Sequence, residues 1–375
     1  MNQLRVWILI YNNIYPVKHR PAIMKIVFDC ERMKYENTGL FTYCLQMGMN
    51  LQKLIKDGSE HLNFFISPRH QGIFGNRNNY LLQNSAQKFW MPSLKDYDIW
   101  HSTYQSSNYV PFLNKKVKVL LTIHDLNFLY DDYKMAKKKK KYLRFLQSNI
   151  DRSQAIICIS EFCKQDVLKH CNVKNKPVYL VYNGTNTLES PSLFGNSYMP
   201  RTRFLFSIGV MNRKKNYHVL LPLLQKNDNM ELLIAGRTDD ADYIHFLNDA
   251  AKKLGVEHKV RMLGPISEGE KSWYYQNCYA FTFPSIAEGF GLPVTEAMSL
   301  GKPVFLSDKT ALPEIGKDMA FYFEDFNEHQ MQNVFMAGMK KYQNSSSMKD
   351  DIKKRSTQFS WEKAAKECLE IYRSL

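Results

Sequence analysis

The chain has 375 residues, of which 44% are apolar and 13% aromatic. This composition excludes a disordered chain, and the length favours two domains, each large enough to bury its own core. The formal net charge is +15, and residues 1–186 carry +14 of it, so we expect that half to face an anionic partner. The seven cysteines show no zinc-ligand spacing, which favours reduced thiols in a cytoplasmic protein.

Residues 1–23 precede the first predicted strand, which begins near Met24. Their apolar run, 6–11, is too short for a signal-peptide core or a membrane span. We interpret residues 1–23 as a disordered arm or a translation-start artefact. No other segment approaches ~18 apolar residues, so the sequence predicts no membrane-spanning helix.

Residues 24–190 alternate short apolar runs with helical stretches. The predicted strands are 25–28, 62–66, 98–101, 117–123, 155–159 and 178–181. A long helix is predicted from Gly39 to about residue 55. Such alternation is typical of a parallel sheet with helices on both faces.

A polar, turn-rich linker near residues 188–200 leads into a second α/β unit, residues 200–358. Its predicted strands are 203–208, 230–235, 260–263, 280–283, 304–306 and 320–323. The segment 359–375 contains a predicted helix with apolar side chains at helical spacing. The predicted fold class is therefore α/β, with two Rossmann-like parallel-sheet domains that face a central cleft and bind ligands at the carboxyl ends of their strands.

His124 directly follows a buried predicted strand in the sequence Thr122-Ile123-His124-Asp125. We expect it at the carboxyl end of that strand, facing the cleft. The alternative is a structural histidine held by its neighbour Asp125.

Five consecutive lysines, Lys137–Lys141, form the longest basic run. They indicate either a solvated lysine-rich helix or a surface that rests on anionic lipid, where each basic residue adds about 1 kcal/mol. No recognition motif or aromatic-interleaved basic stripe accompanies them, so we expect no nucleic-acid partner.

A glycine and a basic cluster follow the strand 203–208: Gly209, then Arg213, Lys214 and Lys215. Glycine lets a backbone approach a ligand closely, and fixed cations stabilise the charge that builds up on a departing diphosphate. The alternative is a basic surface turn.

Residues 283–308 read FPSIAEGFGLPVTEAMSLGKPVFLSD and contain Glu288 and Glu296, eight positions apart. A glycine-containing turn separates them, and Pro293 suits the first position of a helix that Gly301 ends. Backbone glycine and helix N-terminal amides favour a phosphate, whereas the two acids should face sugar and ribose hydroxyls. The alternative is an ordinary strand–loop–helix with a solvated Glu288 and a dipole-favoured Glu296.

This segment resembles the EGFGLP…EA signature of the retaining glycosyltransferases of family 4, and residues 207–216 resemble the glycine-then-RKN motif of that family. The resemblance implies the GT-B fold, an acceptor-binding domain over 24–190, a nucleotide-sugar-binding domain over 200–358, and a C-terminal helix that packs back on the first domain. It implies that Glu288 contacts the donor sugar, Glu296 the ribose, and that His124 lies near the reacting centre.

Two departures from the family pattern affect the predicted site. Thr38-Gly39-Leu40 resembles the N-terminal glycine loop, with Thr38 at the usual first glycine. Lys214 occupies the position at which the family has an arginine, and Arg213 precedes it. The resemblance therefore leaves two alternatives for the phosphate contact, Arg213 or Lys214. His101 resembles a second cleft histidine. The predicted catalytic residues are His124 and Glu288, and the predicted donor-binding residues are Gly39, Gly209, Arg213, Lys214, Lys215, Glu288, Gly289, Phe290, Gly291, Leu292 and Glu296.

The resemblance implies transfer of mannose, glucose or an N-acetylhexosamine from a nucleotide-diphosphate sugar to a hydroxyl of a glycan or lipid-linked acceptor, in bacterial surface polysaccharide or lipopolysaccharide synthesis. It implies a front-face reaction without a covalent nucleophile, and we expect no cofactor and no metal. The expected location is the cytoplasm, peripheral to the inner face of the plasma membrane. The alternatives are a non-catalytic nucleotide-sugar-binding protein and a nucleotide-sugar epimerase of the same architecture.

Overall fold

The computed structural model describes residues 23–55, 58–76, 79–131, 135–193, 195 and 197–375. The interpretation of residues 1–22 lies outside this part of the chain. The strands within it form two sheets in which every pairing is parallel.

The first sheet has the order β3-β2-β1-β4-β5-β6-β7. Its strands are β1 Met24–Asp29, β2 Glu60–Ile66, β3 Asn79–Leu82, β4 Ile99–Ser102, β5 Lys118–Ile123, β6 Ala155–Cys158 and β7 Val178–Leu180. Ile26 of β1 pairs with Leu62 on one side and with Ile99 on the other. The strand order reverses between β1 and β4, which places a crevice outside their carboxyl ends.

The second sheet has the order β10-β9-β8-β11-β12-β13 and reverses between β8 and β11. Its strands are β8 Arg203–Ile208, β9 Met230–Ala235, β10 Val260–Gly264, β11 Ala280–Phe283, β12 Val304–Ser307 and β13 Phe321–Phe323. The strand β9 is buried along its whole length, and all its residues except Glu231 are apolar. A parallel strand covered on both faces is typically such a nearly continuous apolar run.

Helices cover both sheets, and several begin at a residue whose side chain caps the helix. The helices are α1 Gly39–Leu54, α2 Ala136–Arg152, α3 Glu161–His170, α4 Leu221–Gln225, α5 Ala241–Lys253, α6 Glu268–Asn277, α7 Leu292–Ser299, α8 Leu312–Gly316, α9 Glu328–Asn344, α10 Met348–Ser356 and α11 Trp361–Ser374. Ser160, for example, accepts a hydrogen bond from the backbone of Cys163 at the start of α3.

The C-terminal helix α11 packs against α1 of the first domain. The Tyr372 hydroxyl lies 2.6 Å from Nδ1 of His101, and Arg373 pairs with Glu60 at 2.6 Å. A Cβ at position 184 would overlap the backbone nitrogen of Trp361, so this contact requires Gly184. The last helix of the chain therefore belongs to the core of the N-terminal domain.

A carboxylate of the second domain caps a helix of the first. Glu314 of α8 accepts hydrogen bonds from the backbone amides of Glu161 (2.7 Å) and Phe162 (3.0 Å), the first two residues of α3. It also accepts one from the Tyr182 hydroxyl at 2.6 Å. Hydrogen bonds to an ionised acceptor are among the stronger ones, so this contact holds the two domains face to face.

The predicted fold class, two Rossmann-like parallel-sheet domains facing a cleft, is confirmed. The short edge strand β3 was not predicted, because its four residues are only half-buried or exposed and show little apolar pattern. The predicted strands at 98 and 117 each begin one residue later. Among the described residues, no helix combines the length and apolarity needed to cross a bilayer.

Candidate active site

Lys215 and Glu288 form an ion pair at the carboxyl edge of the second sheet. Their Nζ and Oε1 atoms lie 2.6 Å apart, and the side chains are 12% and 13% exposed. Lys215 comes from a short 3-10 turn after β8 that the Asn212 side chain caps, and Glu288 from the loop after β11. The Lys215 ammonium also lies 4.5 Å from the ring centroid of Phe283.

The electrostatics of this pair favour an ionised carboxylate. Burial opposes ionisation of Glu288, but the charges of Lys215 and Lys214 overcome it and lower the pKa of Glu288 below its ordinary 4.5. Burial also lowers the pKa of Lys215, and Glu288 partly opposes that change. Glu288 is therefore a carboxylate at neutral pH, and it pairs with the Lys215 ammonium, whose charged form burial disfavours.

Gly209, at the end of β8, provides the space that Lys215 occupies. It has φ +149°, and a Cβ there would lie 3.0 Å from Cε of Lys215 and 3.1 Å from the Tyr217 hydroxyl. A larger residue would displace the lysine from the Glu288 carboxylate.

The Glu288–Gly289 turn lies directly against the first domain. A Cβ at position 289 would overlap the carbonyl oxygen of His124 and lie 3.0 Å from Cβ of Asp125. The fold thus brings together residues predicted from two separate motifs, one in each domain. Gly289 is required by the close approach of two backbones.

His124 is buried and held by its own domain. Its Nε2 lies 2.8 Å from the carbonyl oxygen of Thr103, its backbone amide donates to Gln105, and its ring meets the edge of Tyr43 at 4.7 Å. Burial lowers the pKa of His124 to about 4. The imidazole is therefore neutral at pH 7, with its proton on Nε2 toward the carbonyl.

Glu296 of α7 is 4% exposed and has three partners. Its Oε1 accepts from Nδ2 of Asn186 at 2.6 Å and lies 3.5 Å from Nζ of Lys271, while its Oε2 accepts from the Tyr275 hydroxyl at 2.9 Å. Asn186 in turn accepts from the indole of Trp361. The orientation of the Glu296 carboxylate is therefore fixed. Through Asn186 it is also linked to Trp361, the first residue of α11.

A cavity of about 560 Å³ lies between the domains. The first domain contributes Gln105, Asp125, Phe128 and Tyr142 to its lining, and the second contributes Asn212, Arg213, Lys214 and Asp240. The Lys214 carbonyl accepts from the amide of Ile286, which ties the basic turn to the Glu288 loop. Arg213 instead lies over the Phe246 ring at 5.0 Å. Both cations thus line the cavity, with Lys214 tied more closely to the loop that carries Glu288.

The other predicted residues have varied positions. Gly39 is the exposed first residue of α1, with no atom within 4 Å of a Cβ placed there. Gly291, with φ +108°, is the N-cap of α7, and Leu292 is its first residue. The buried Phe290 ring packs against Phe359 and Tyr182, so only its backbone is available to a ligand.

His101 does not face the cleft. It is fully buried, and its two ring nitrogens lie 2.6 Å from the Tyr372 hydroxyl and 2.7 Å from Oγ1 of Thr122. The prediction that His101 is a cleft histidine is wrong, because α11 covers the carboxyl end of β4 and separates His101 from the cleft.

Several residues near the site were not predicted, among them Asp29, Arg32 and Tyr104. Asp29 ends β1 as His124 follows β5, so the same strand-end argument could have found it. Its carboxylate accepts from the amide of Glu31 at 2.9 Å and from the Ser107 hydroxyl at 3.2 Å. The Arg32 guanidinium lies 4.3 Å from the Tyr104 ring centroid. No group of three metal-ligating side chains lies within the described ranges.

These buried groups predict an unusual response to acid. Burial lowers the pKa of His101 to about 3 and that of His124 to about 4, so their stabilising effect is complete above the unfolded value near 6.5 and is lost as the pH falls. Burial and the charge of Glu31 raise the pKa of Asp29 from 3.8 to about 7, so its effect has the opposite sign and grows as the pH falls.

We expect the Asp29 effect to offset only part of the histidine effect in the wild type between about pH 7 and pH 5. An Asp29→Asn variant keeps only the histidine effect and should lose roughly 2–4 kcal/mol of unfolding free energy over that interval. Urea unfolding at several pH values measures this difference. Equal pH dependence in the variant and the wild type would contradict it.

Residues 197–358 match the model of the group 1 glycosyl transferases, and residues 55–188 match that of glycosyltransferase family 4. The O-antigen chain mannosyltransferase B of Escherichia coli is 23% identical, over 94% of this chain and all of the relative. The O-antigen chain mannosyltransferase RfbU of Salmonella typhimurium is 28% identical, over 60% of this chain and 61% of the relative.

Solved structures have the same architecture. Sucrose-phosphate synthase from Thermosynechococcus elongatus superposes with a TM-score of 0.74 at 17% identity, covering 94% of this chain and 98% of that one. HepE from Anabaena, in complex with UDP and glucose, gives 0.71 at 16% identity, covering 94% and 100%. The chain belongs to the group 1 (family 4) glycosyltransferases and has the GT-B fold. The prediction of a hexosyltransferase-type enzyme is also confirmed.

Proposed function

We propose that this enzyme transfers a hexose, with retention of anomeric configuration, from a nucleotide-diphosphate sugar to a hydroxyl of a glycan or lipid-linked acceptor. The observation that carries the proposal is the Lys215–Glu288 pair beside the contact of Gly289 with His124. It places a fixed cation and a carboxylate where the two domains meet. In the proposal the first domain binds the acceptor and the second binds the donor.

The lysines are the proposed diphosphate contacts. Negative charge develops on the leaving diphosphate as the glycosidic bond breaks, and a fixed ammonium stabilises that charge more than it stabilises the ground state. Lys215 is held by Glu288 in a site that is mostly closed to water, where its charge acts more strongly. Lys214, the neighbour of Lys215 in the sequence, lines the cavity between the domains.

The glutamates are the proposed hydroxyl contacts. Ser285 and Lys215 leave Glu288 one oxygen, Oε2, for a sugar hydroxyl. Asn186 and Tyr275 orient the Glu296 carboxylate, which we assign to the ribose. A carboxylate held in place by its neighbours recognises a hydroxyl at a lower entropic cost.

His124 is assigned to positioning. A neutral imidazole whose proton points to a carbonyl is a poor acid, and its low pKa makes it a weak base. This favours a front-face reaction in which the leaving diphosphate accepts the acceptor proton and no covalent intermediate forms on the protein.

Names of relatives suggest which substrates to test first. Two relatives are O-antigen mannosyltransferases, which supports mannose as the sugar and a bacterial surface polysaccharide as the product. The HepE complex contains UDP and glucose, which supports UDP-glucose as the second donor to test. The acidic residues that line the cavity, Asp125, Asp131 and Asp240, suit the hydroxyls of a glycan acceptor. We place the enzyme in the cytoplasm, at the inner face of the membrane.

Product analysis tests the proposal. The enzyme is incubated with GDP-mannose or UDP-glucose and octyl mannoside as the probe acceptor, and the products are followed by NMR. We expect release of the nucleoside diphosphate and a new glycosidic bond with the anomeric configuration of the donor. An inverted product would contradict retention. An isomerised sugar nucleotide would indicate the epimerase, and binding without turnover would indicate a non-catalytic protein.

A further inference from the structure

Four large apolar side chains of the first domain are exposed on two neighbouring loops. Phe89, Trp90, Phe112 and Leu113 are 88%, 68%, 40% and 75% exposed. They belong to two loops, 83–98 and 103–117. Asn114 joins the loops, because its side chain accepts from the amide of Leu94 at 2.9 Å and donates to the carbonyl of Pro92 at 3.3 Å. We call these four side chains the apolar patch.

The loops beneath the apolar patch are fixed. Arg152, the last residue of α2, donates to the carbonyls of Pro111, Asn114 and Val117 at 2.8–2.9 Å. Leu94 and Tyr109, from the two loops, are buried in the cluster that covers the sheet. The loops therefore bury Leu94 and Tyr109 but keep the four side chains of the apolar patch exposed to solvent. Exposed apolar groups in such a cluster mark an interaction site.

Three lysines adjoin the apolar patch, and the two acidic residues of the loop 83–98, Asp96 and Asp98, lie at the far end of that loop next to β4. Lys88, Lys115 and Lys116 are exposed and adjoin the apolar patch in sequence. The segments 79–95 and 99–124 contain no aspartate or glutamate. This combination complements a surface that is apolar beneath a layer of anions.

The lysine run lies on the same face of the sheet as the apolar patch, at the opposite end of α2 from Arg152. α2 packs on β5 through contacts with Leu121 and Ile123, and the two loops pack on Val119 of that strand. Alternate residues of a strand point to one face, so α2 and the loops share that face. The start of α2 has five lysines, no acidic residue in its first turn and no side-chain cap, an arrangement that external anions would stabilise.

We propose that this face docks on an anionic lipid bilayer, with Phe89, Trp90 and Leu113 inserted at the interface and the lysines on the headgroups. Trp and Phe favour that depth of a bilayer, and lysine attracts acidic lipid. The proposal deepens the proposed function, since it supplies the surface from which a lipid-linked acceptor would be taken. The loop 103–117 runs from this face to the cleft, where its Gln105 accepts a hydrogen bond from the His124 backbone.

Vesicle flotation tests the proposal with the full-length protein. The vesicles contain phosphatidylcholine with or without phosphatidylglycerol. We expect binding that requires phosphatidylglycerol and falls by about tenfold or more in the Phe89→Ser/Trp90→Ser/Leu113→Ser variant. Met336→Ser, which changes an exposed apolar residue of the second domain, is the matched control and should bind like the wild type.

Trp90 supplies a direct readout of insertion. Vesicles with brominated acyl chains should quench the tryptophan emission of the wild type, and Trp90→Phe should remove most of that quenching while binding stays within about twofold. Thermal unfolding and donor binding are measured on each variant. Both should be unchanged, which separates loss of docking from failure of the proposed donor site.

Wild-type binding by the triple variant would overturn the proposal, and so would absence of wild-type binding to phosphatidylglycerol vesicles. A concentration-dependent dimer that the triple variant abolishes, without vesicle binding, would assign the apolar patch to a second copy of the chain instead. Sedimentation velocity provides that comparison.

Discussion

Replacing Lys215 with alanine should lower the rate of sugar transfer by about a thousandfold. The ammonium is held 2.6 Å from Glu288 with little exposure to water, so its charge acts strongly on the leaving diphosphate and Lys214 supplies only part of that stabilisation when Lys215 is absent. Steady-state rates with a saturating donor measure the effect on the chemical step. A matched control is Lys226→Ala, since Lys226 is exposed and its nearest carboxylate is 3.9 Å away.

Loss of Lys215 also leaves the Glu288 carboxylate buried beside Lys214 alone, which should raise the pKa of Glu288 and destabilise the fold. The double variant Lys215→Ala/Glu288→Gln removes that unpaired charge. We expect it to recover thermal stability but no activity. Recovery of both would show that Lys215 acts only through folding, and wild-type rates in Lys215→Ala would refute its assignment to the diphosphate.

A single added methyl group at Gly289 should reduce transfer by about a hundredfold. Its Cβ would overlap the His124 carbonyl oxygen, so the two domains would have to separate at the point where the proposed donor and acceptor sites meet. Because the cores of both domains are untouched, we expect only a small change in melting temperature.

Kinetics and small-angle scattering together test the Gly289→Ala prediction. The rate should fall while the radius of gyration of the variant rises. Gly195→Ala serves as the control, because a Cβ at that position meets no atom of the described part of the chain within 4 Å. An active Gly289→Ala variant of wild-type dimensions would show that the close approach to His124 is not needed.

The local parts of the site could be predicted because each depends on a short stretch of sequence. The helix α7 begins at Leu292, one residue before the predicted Pro293, and ends at Ser299, shortly before Gly301. Glu288 and Lys215 both follow buried strands, whose parallel carboxyl ends must meet at one edge. The pairing of Glu288 with Lys215 is a consequence of that shared edge.

The contacts between the two domains could not be predicted from the sequence. Asn186 reaches Glu296, and Glu314 caps α3, only because the two sheets face each other at one particular distance. The same limit explains His101. A strand-end position identifies the edge of the sheet, but not whether a distant helix such as α11 covers it.

The charge distribution of the sequence predicts the kind of partner but not the surface that binds it. The excess of positive charge in residues 1–186 indicates an anionic partner, and the run Lys137–Lys141 places part of that charge at the start of α2. The apolar patch carries no such sequence signal, since Phe89 and Trp90 resemble core residues until their exposure is known.

Calorimetric titration of GDP-mannose and UDP-glucose into the wild type, Lys215→Ala and Glu296→Gln tests most directly whether this site binds a nucleotide sugar. We predict that one donor binds the wild type and binds each variant at least about tenfold more weakly, because each change removes a charged contact. Equal affinity of that donor for all three proteins would contradict the assignment of Lys215 and Glu296 to the donor site.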